Sequence, residues 1–118
     1  MSFDLERVPL PGDIYLCSLE GTGHLLRGPH YIVVVSDEPF NHLSTVVVVP
    51  LSTGAKQASF RPQFRFGGET TRALPEQIRA LDKRRLKEYR GNIAGTSFFG
   101  ALRQAVRLVL ALDEDTTP

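Results

Sequence analysis

His30, in "RGPHYIVVV", is one of three histidines whose side chain is suited to moving a proton. An imidazole has a reference pKa of about 6.5, whereas a guanidinium such as that of Arg27 stays protonated above about 12. Arg27 is correspondingly the better clamp for an anion. Further along, the stretch "PLSTG" offers the hydroxyls of Ser52 and Thr53, each able to donate to an anionic oxygen. The bland readings stand beside these: turns are commonly rich in Ser, Thr and Gly, and a strand-end histidine is as often a satisfied structural residue. In "LPEQIRALDKRRL", residues 74–86, Glu76 can orient a cation or raise the pKa of a nearby histidine, and Gln77 can both donate and accept. Arg79 either binds a phosphate or pairs with Asp82. Lys83, Arg84, Arg85 and Lys87 read more simply as a solvated face. His24 sits in a glycine-rich stretch and is a lesser proton-transfer candidate, and His42 falls in a connection. With three scattered histidines, one cysteine and no His-x-x-x-His spacing, no bound metal or other cofactor is expected.

Short strands must position these groups. "PGDIYLCSL" opens on a turn and alternates, with Ile14 and Leu16 on one face and Tyr15 and Cys17 on the other. "EGTGHLLRGP" is glycine-rich, apolar only at Leu25 and Leu26, and is expected to be a poorly packed loop. "HYIVVVS" and "TVVVVPL" are β-branched runs too short for helices, which predicts central strands buried on both faces. "FRPQFRF" is interrupted by Pro62 and reads as an edge strand, joined through "GGE" to a strand in "TTRALPEQ". The chain then hands over at Asp82, a good cap, to a short basic helix. Phe98, Leu102, Ala105, Val109 and Leu112 mark a C-terminal helix behind Thr96 and Ser97. Phe99, Val106, Leu108 and Leu110 widen its apolar stripe until it nearly encircles the helix. Such a helix needs cover on more than one side, from its own barrel or from a second subunit.

At 118 residues, the chain is expected to be one domain over 1–118, with an N-terminal extension at 1–10 and a frayed tail at 113–118. The N-terminus lacks a basic leader before an apolar core, and no run of about 18 apolar residues exists, so a cytoplasmic protein is expected. The net charge of +1 hides an uneven distribution. Between Ala55 and Gly91 ten Lys or Arg face four acids, a local balance of +6, which suits a polyanion partner as well as it suits an ordinary solvated face.

The fold class expected from this pattern is mainly β, a small, partly open barrel carrying a C-terminal helix. The order "PGDIYLCSLEGTGHLLRGPHYIVVVSDEPFN", "VVVVPLSTG", "LPEQIRALDKRRL" and "GNIAG" before an amphipathic helix resembles the MazF/PemK family of toxin endoribonucleases, across roughly residues 10–112. The resemblance implies an SH3-like barrel and a homodimer that cuts single-stranded RNA without a metal, silenced by an antitoxin. It implies a groove in which Ser52, with Thr53 beside it, stands at the family's threonine. His30 stands at the family's arginine when strand length is kept; Arg27 stands there if about two residues are inserted. On this basis His30 is assigned proton transfer, Arg27 phosphate contact, and Glu76, Gln77, Arg79, His24 and Lys56 RNA binding. Phe60, Phe64 and Phe66 can stack bases, although strand alternation puts at least one of them in the core. The basic segment 55–91 is expected to attract a flexible acidic antitoxin segment as well as RNA. The loss of the usual arginine leaves open a CcdB-like binder that grips a protein target, or an inactive relative.

Overall fold

The β-branched runs form the centre of a curled sheet in the computed structural model, which describes residues 7–112; residues 1–6 of the expected extension and the tail at 113–118 lie outside the described residues. The strands are β1 (Asp13–Leu19), β2 (Gly28–Val34), β3 (Thr45–Ser52), β4 (Gln63–Phe66), β5 (Glu69–Ala73), β6 (Arg79–Asp82) and β7 (Leu86–Asn92). A one-turn helix, α1 (Glu38–Asn41), links β2 to β3, and α2 (Ser97–Val109) closes the chain. The order is β4-β5-β3-β2-β1-β7, with β6 also on β3. All the pairings are antiparallel.

Both faces are buried at Ile32–Val34 of β2 and from Val48 on in β3, as their apolar runs predict, while Thr45 and Val47 of β3 are exposed. Cys17, Ile32, Val34, Val46, Val48, Leu81 and Leu86 fill the concave side. Ile14, Val33, Val49, Leu51 and Ala73 point the other way, beneath Phe99 and Leu102 of α2. The alternation Ile14/Tyr15/Cys17 therefore splits one strand between two cores. Helix α2 starts where Thr96 Oγ1 accepts from the Phe99 amide at 3.2 Å. It stops at Val109, short of the expected Leu112, and Ala111 then takes a left-handed φ of 56°. Only the Phe99–Leu102–Ala105 face is buried; Leu108 is 71% exposed.

The hairpin β4–β5 is an edge, as Pro62 suggests, and turns through Gly67 and Gly68 with φ of 62° and 83°, the signs a two-residue hairpin turn requires. The expected short basic helix is instead a single 3₁₀ turn, Lys83–Arg85, because Asp82 accepts from the Arg84 amide and guanidinium and so caps a turn. Strand β7 follows it and was not foreseen: "LKEYRGN" is polar and mostly exposed, so no alternation marks it. The two pieces explain the double character of residues 74–86. β5 pairs with the end of β3, a 3₁₀ turn at Pro75–Gln77 shifts the chain along, and β6 pairs with the first half of the same edge. The Lys83–Arg85 turn then carries the chain from that edge to β1, where β7 pairs, and curls the sheet into a half-barrel.

Candidate functional site

Three adjacent strands bring His30, Ser52 and Arg72 toward one another at the open end of the concave face. β2 and β3 pair Ile32 with Pro50, and carrying that register two residues further sets His30 opposite Ser52. β3 and β5 pair Ser52 with Arg72. Their neighbours Leu51 and Ala73 lie in the core under α2, so Ser52 and Arg72 occupy the opposite face, the one that holds Ile32.

The His30 ring is fixed by a 3.1 Å contact between Nδ1 and the Leu51 carbonyl. A carbonyl only accepts, so Nδ1 carries the proton; in the neutral imidazole Nε2 is then the basic nitrogen. Nε2 has no hydrogen-bond partner among the described residues. The hydrogen bond that a structural role for His30 would use is thus made by Nδ1 alone. Ser52 is nearly buried, and its Oγ accepts from the Gly54 amide at 3.2 Å, which leaves the hydroxyl proton available. Thr53, beside it, is exposed. Arg27 is exposed at the entry to β2, outside the groove described next.

That groove, of about 620 Å³, is lined by His24, Leu25 and Leu26 on one wall, Ser52, Gly54 and Ala55 on another, and Arg61, Leu74, Glu76 and Gln77 along its floor. Glu76, Gln77 and the nearby Arg79, expected to contact RNA, also make contacts within the fold. Glu76 is held by the Arg61 guanidinium, whose Nε donates at 3.0 Å, so its charge is matched there and not by His30. Gln77 accepts from the Leu26 amide at 2.7 Å and donates to the His24 carbonyl at 3.1 Å. Arg79 donates to the carbonyls of Glu20, Leu26 and Gln77, while Asp82 pairs with Arg84 instead. Gln77 and Arg79 thus buckle down the 20–27 loop. The loop has few apolar residues, as noted, but its polar backbone is anchored from the neighbouring segment, and Leu26 packs on the concave core.

The basic segment is likewise less free than its composition implies. Lys83 Nζ donates to the Asn41 carbonyl at 2.8 Å, Arg85 pairs with Glu20, and Arg90 pairs with Glu88. Lys56 is exposed, and its carbonyl accepts from Arg61 at 3.0 Å. Asp82 is pulled down to about 2 by its hydrogen bonds from Arg84. Of the aromatics, Phe64 stacks on Phe98 with centroids 3.9 Å apart, and Phe66 packs edge-on against Tyr31, so both serve the helix-side core and only Phe60 lies outside it. Among the described residues, no three His, Cys, Asp or Glu side chains converge as a metal-ligand set.

A curled half-barrel with a C-terminal helix and a polar groove across its open end defines the class. The chain belongs to the PemK-like, MazF-like toxins of type II toxin-antitoxin systems, whose family model matches residues 10–110. Among solved structures it is similar to a mycobacterial endoribonuclease in complex with its cognate antitoxin, at 25% identity and a TM-score of 0.72, over 92% of this chain and 98% of that one. It is also similar in fold to MazF from Deinococcus radiodurans, at 21% identity and a TM-score of 0.76, over 90% of this chain and 99% of that one. A curated relative from Mycobacterium tuberculosis, named "Putative toxin Rv3098A/RVBD_3098A", is 46% identical over 59 residues, which cover 50% of this chain and 55% of the relative. The chain thus spans about half the length of that relative. No described helix is long and apolar enough to cross a membrane.

Proposed function

We propose that this toxin is an endoribonuclease that cleaves single-stranded RNA by transesterification, with His30 and Ser52 at the scissile phosphate. The observation that carries the reading is an imidazole whose tautomer is fixed by the Leu51 carbonyl, on the strand next to Ser52, whose hydroxyl proton is free and which lines the groove. Nε2 of His30 takes the proton of the 2'-hydroxyl, and O2' attacks phosphorus. The bond to O5' breaks, and water in the open groove protonates the leaving oxygen. Ser52 donates to a non-bridging oxygen, where charge builds up. Arg27 and Lys56 attract the backbone from outside, and Thr53 and His24 flank the path. The products are a 2',3'-cyclic phosphate and a 5'-hydroxyl.

Incubating the purified protein with mixed-sequence single-stranded RNA in EDTA, then mapping the ends, tests this reading. Fragments with those termini are expected, and an acidic antitoxin segment added to the same assay is expected to inhibit. Cleavage that requires an added divalent ion overturns the mechanism, and intact RNA favours the CcdB-like binder or the inactive relative.

The assembly we propose is an isologous homodimer. Leu108 near the end of α2, and Leu110 and Leu112 just beyond it, are 71%, 45% and 56% exposed, which is more apolar surface than one barrel covers. Light scattering is expected to give twice the 13.1 kDa chain mass at micromolar concentration. A monomer at that concentration refutes the dimer.

A further inference from the structure

The cation on β5 is unusual. Arg72 is half-buried, faces the same side as Ser52, and pairs with it across the strands. Side chains directly opposite in an antiparallel pair stand about 5 Å apart at Cβ. Its Nη1 donates at 2.9 Å to the carbonyl of Ala55, which lines the groove next to Gly54. Its Nε is buried with no hydrogen-bond partner, the sole such side-chain atom among the described residues. Among the described residues no acid pairs with it, as with Arg65 and Arg79, but of these only Arg72 has a buried, unbonded nitrogen. A buried polar group is costly unless it is bonded, and a guanidinium offers five N–H donors in a planar fork that matches a phosphate. An arginine left without an acid, two strands from His30 and beside the Ser52 hydroxyl, is arranged for an anion that arrives from outside.

We propose that Arg72 is the guanidinium of the active site, gripping the scissile phosphate from β5, beside Ser52, while His30 moves the proton. The proposal rests on the endoribonuclease reading above. An incoming phosphate oxygen displaces the Ala55 carbonyl from Nη1 and exchanges a neutral acceptor for an anion. The fork then neutralises the charge that develops on the phosphate as O2' attacks. The division of labour follows from the chemistry: an imidazole exchanges protons near neutral pH but clamps poorly, and a guanidinium does the reverse. On this assignment His30 and Arg72, from different strands, share what a single strand-end arginine cannot do as well.

The test uses the full-length protein and its Arg72→Gln and Arg72→Lys variants, with two readouts and a thermal melt for each. On cleavable single-stranded RNA in EDTA, Arg72→Gln is expected to lower kcat about a hundredfold, the scale of one lost oxyanion donor, while Arg72→Lys recovers part of it. On an uncleavable, fully 2'-O-methylated oligonucleotide, Arg72→Gln is expected to make the slope of log K against log salt shallower by about 0.7, the share of one phosphate contact on a single strand. Wild-type kcat with an unchanged slope in Arg72→Gln overturns the proposal. So does an equal loss in both variants with a parallel fall in melting temperature and no change in slope, which would make Arg72 a brace for the turn at Ala55. If the wild-type protein cleaves no RNA, the endoribonuclease reading fails by itself. Arg72 is then judged on the slope alone, and an unchanged slope removes it.

Discussion

His30→Ala is expected to lower RNA cleavage by roughly 10²–10⁴-fold, the range for one general acid–base group. The loss should fall on kcat, because the exposed cations that collect RNA are untouched. Folding is little affected: the substitution removes one half-buried ring and its bond to the Leu51 carbonyl. Ser52→Thr keeps a hydroxyl in the same place and is expected to be nearly silent. Ser52→Ala removes the donor but leaves the base, and should fall between the two. Initial rates on one RNA substrate, with circular dichroism spectra for each variant, check the series. Arg27→Ala is the informative control. Should it abolish cleavage while His30→Ala leaves it intact, the assignment of proton transfer to His30 is wrong and the exposed arginine before β2 holds the role.

The second large effect concerns stability. Asp13 is fully buried, and its carboxylate accepts from the Leu10 amide at 2.8 Å, from Asn92 Nδ2 at 2.8 Å and from the Tyr15 hydroxyl at 3.5 Å, with Arg7 at 3.6 Å. One side chain thus joins the entry of β1 to the end of β7. Asp13→Ala removes the acceptor of the Leu10 amide and of one Asn92 N–H and is expected to cost about 2–4 kcal/mol, since each orphaned buried donor costs roughly 1–3 kcal/mol. Chemical denaturation monitored by circular dichroism measures it, and a loss under about 0.5 kcal/mol would show that water replaces the carboxylate at no cost. The Tyr15 phenol is pushed up to about 12, first by burial and then by the charge of Asp13. Its folded-state value lies above the ordinary 10.0, so the stability tied to the neutral phenol is whole below pH 10 and is lost as pH rises through about 12. Without Asp13 the folded-state value is expected to fall toward 10.0, so that loss still begins near pH 10 but is smaller and is complete at lower pH.

This carboxylate also recasts "GDIY". As a motif it carries little information; in the fold it is architectural. Gly12 has a φ of 90°, and a Cβ there would meet the Ala94 backbone nitrogen at 2.7 Å, so glycine is required before the buried aspartate.

Chain-local physics was legible from the residues alone. The β-branched runs of β2 and β3, the Gly67–Gly68 hairpin and the Thr96-capped helix each follow from neighbours within a few positions, and together with the long motif at 74–86 they identified the family. The placement of Ser52 at the end of a central strand, and of His30 near the start of its neighbour, was legible for the same reason. The contacts that Glu76, Gln77 and Arg79 make within the fold were not. These three are read as RNA ligands from the resemblance; that they also hold Arg61 and the 20–27 loop, brought in from up to 59 residues away, is visible only in the structure. Strand β7 was hidden because an exposed polar edge leaves no periodic trace and is specified by pairing with β1. Arg72 counted only as one of ten basic residues. Its buried position, its unpaired Nε and its register with Ser52 exist only once β5 is laid against β3, because hydrogen-bond satisfaction is a property of all the groups that meet at a point and not of the one residue that carries the charge.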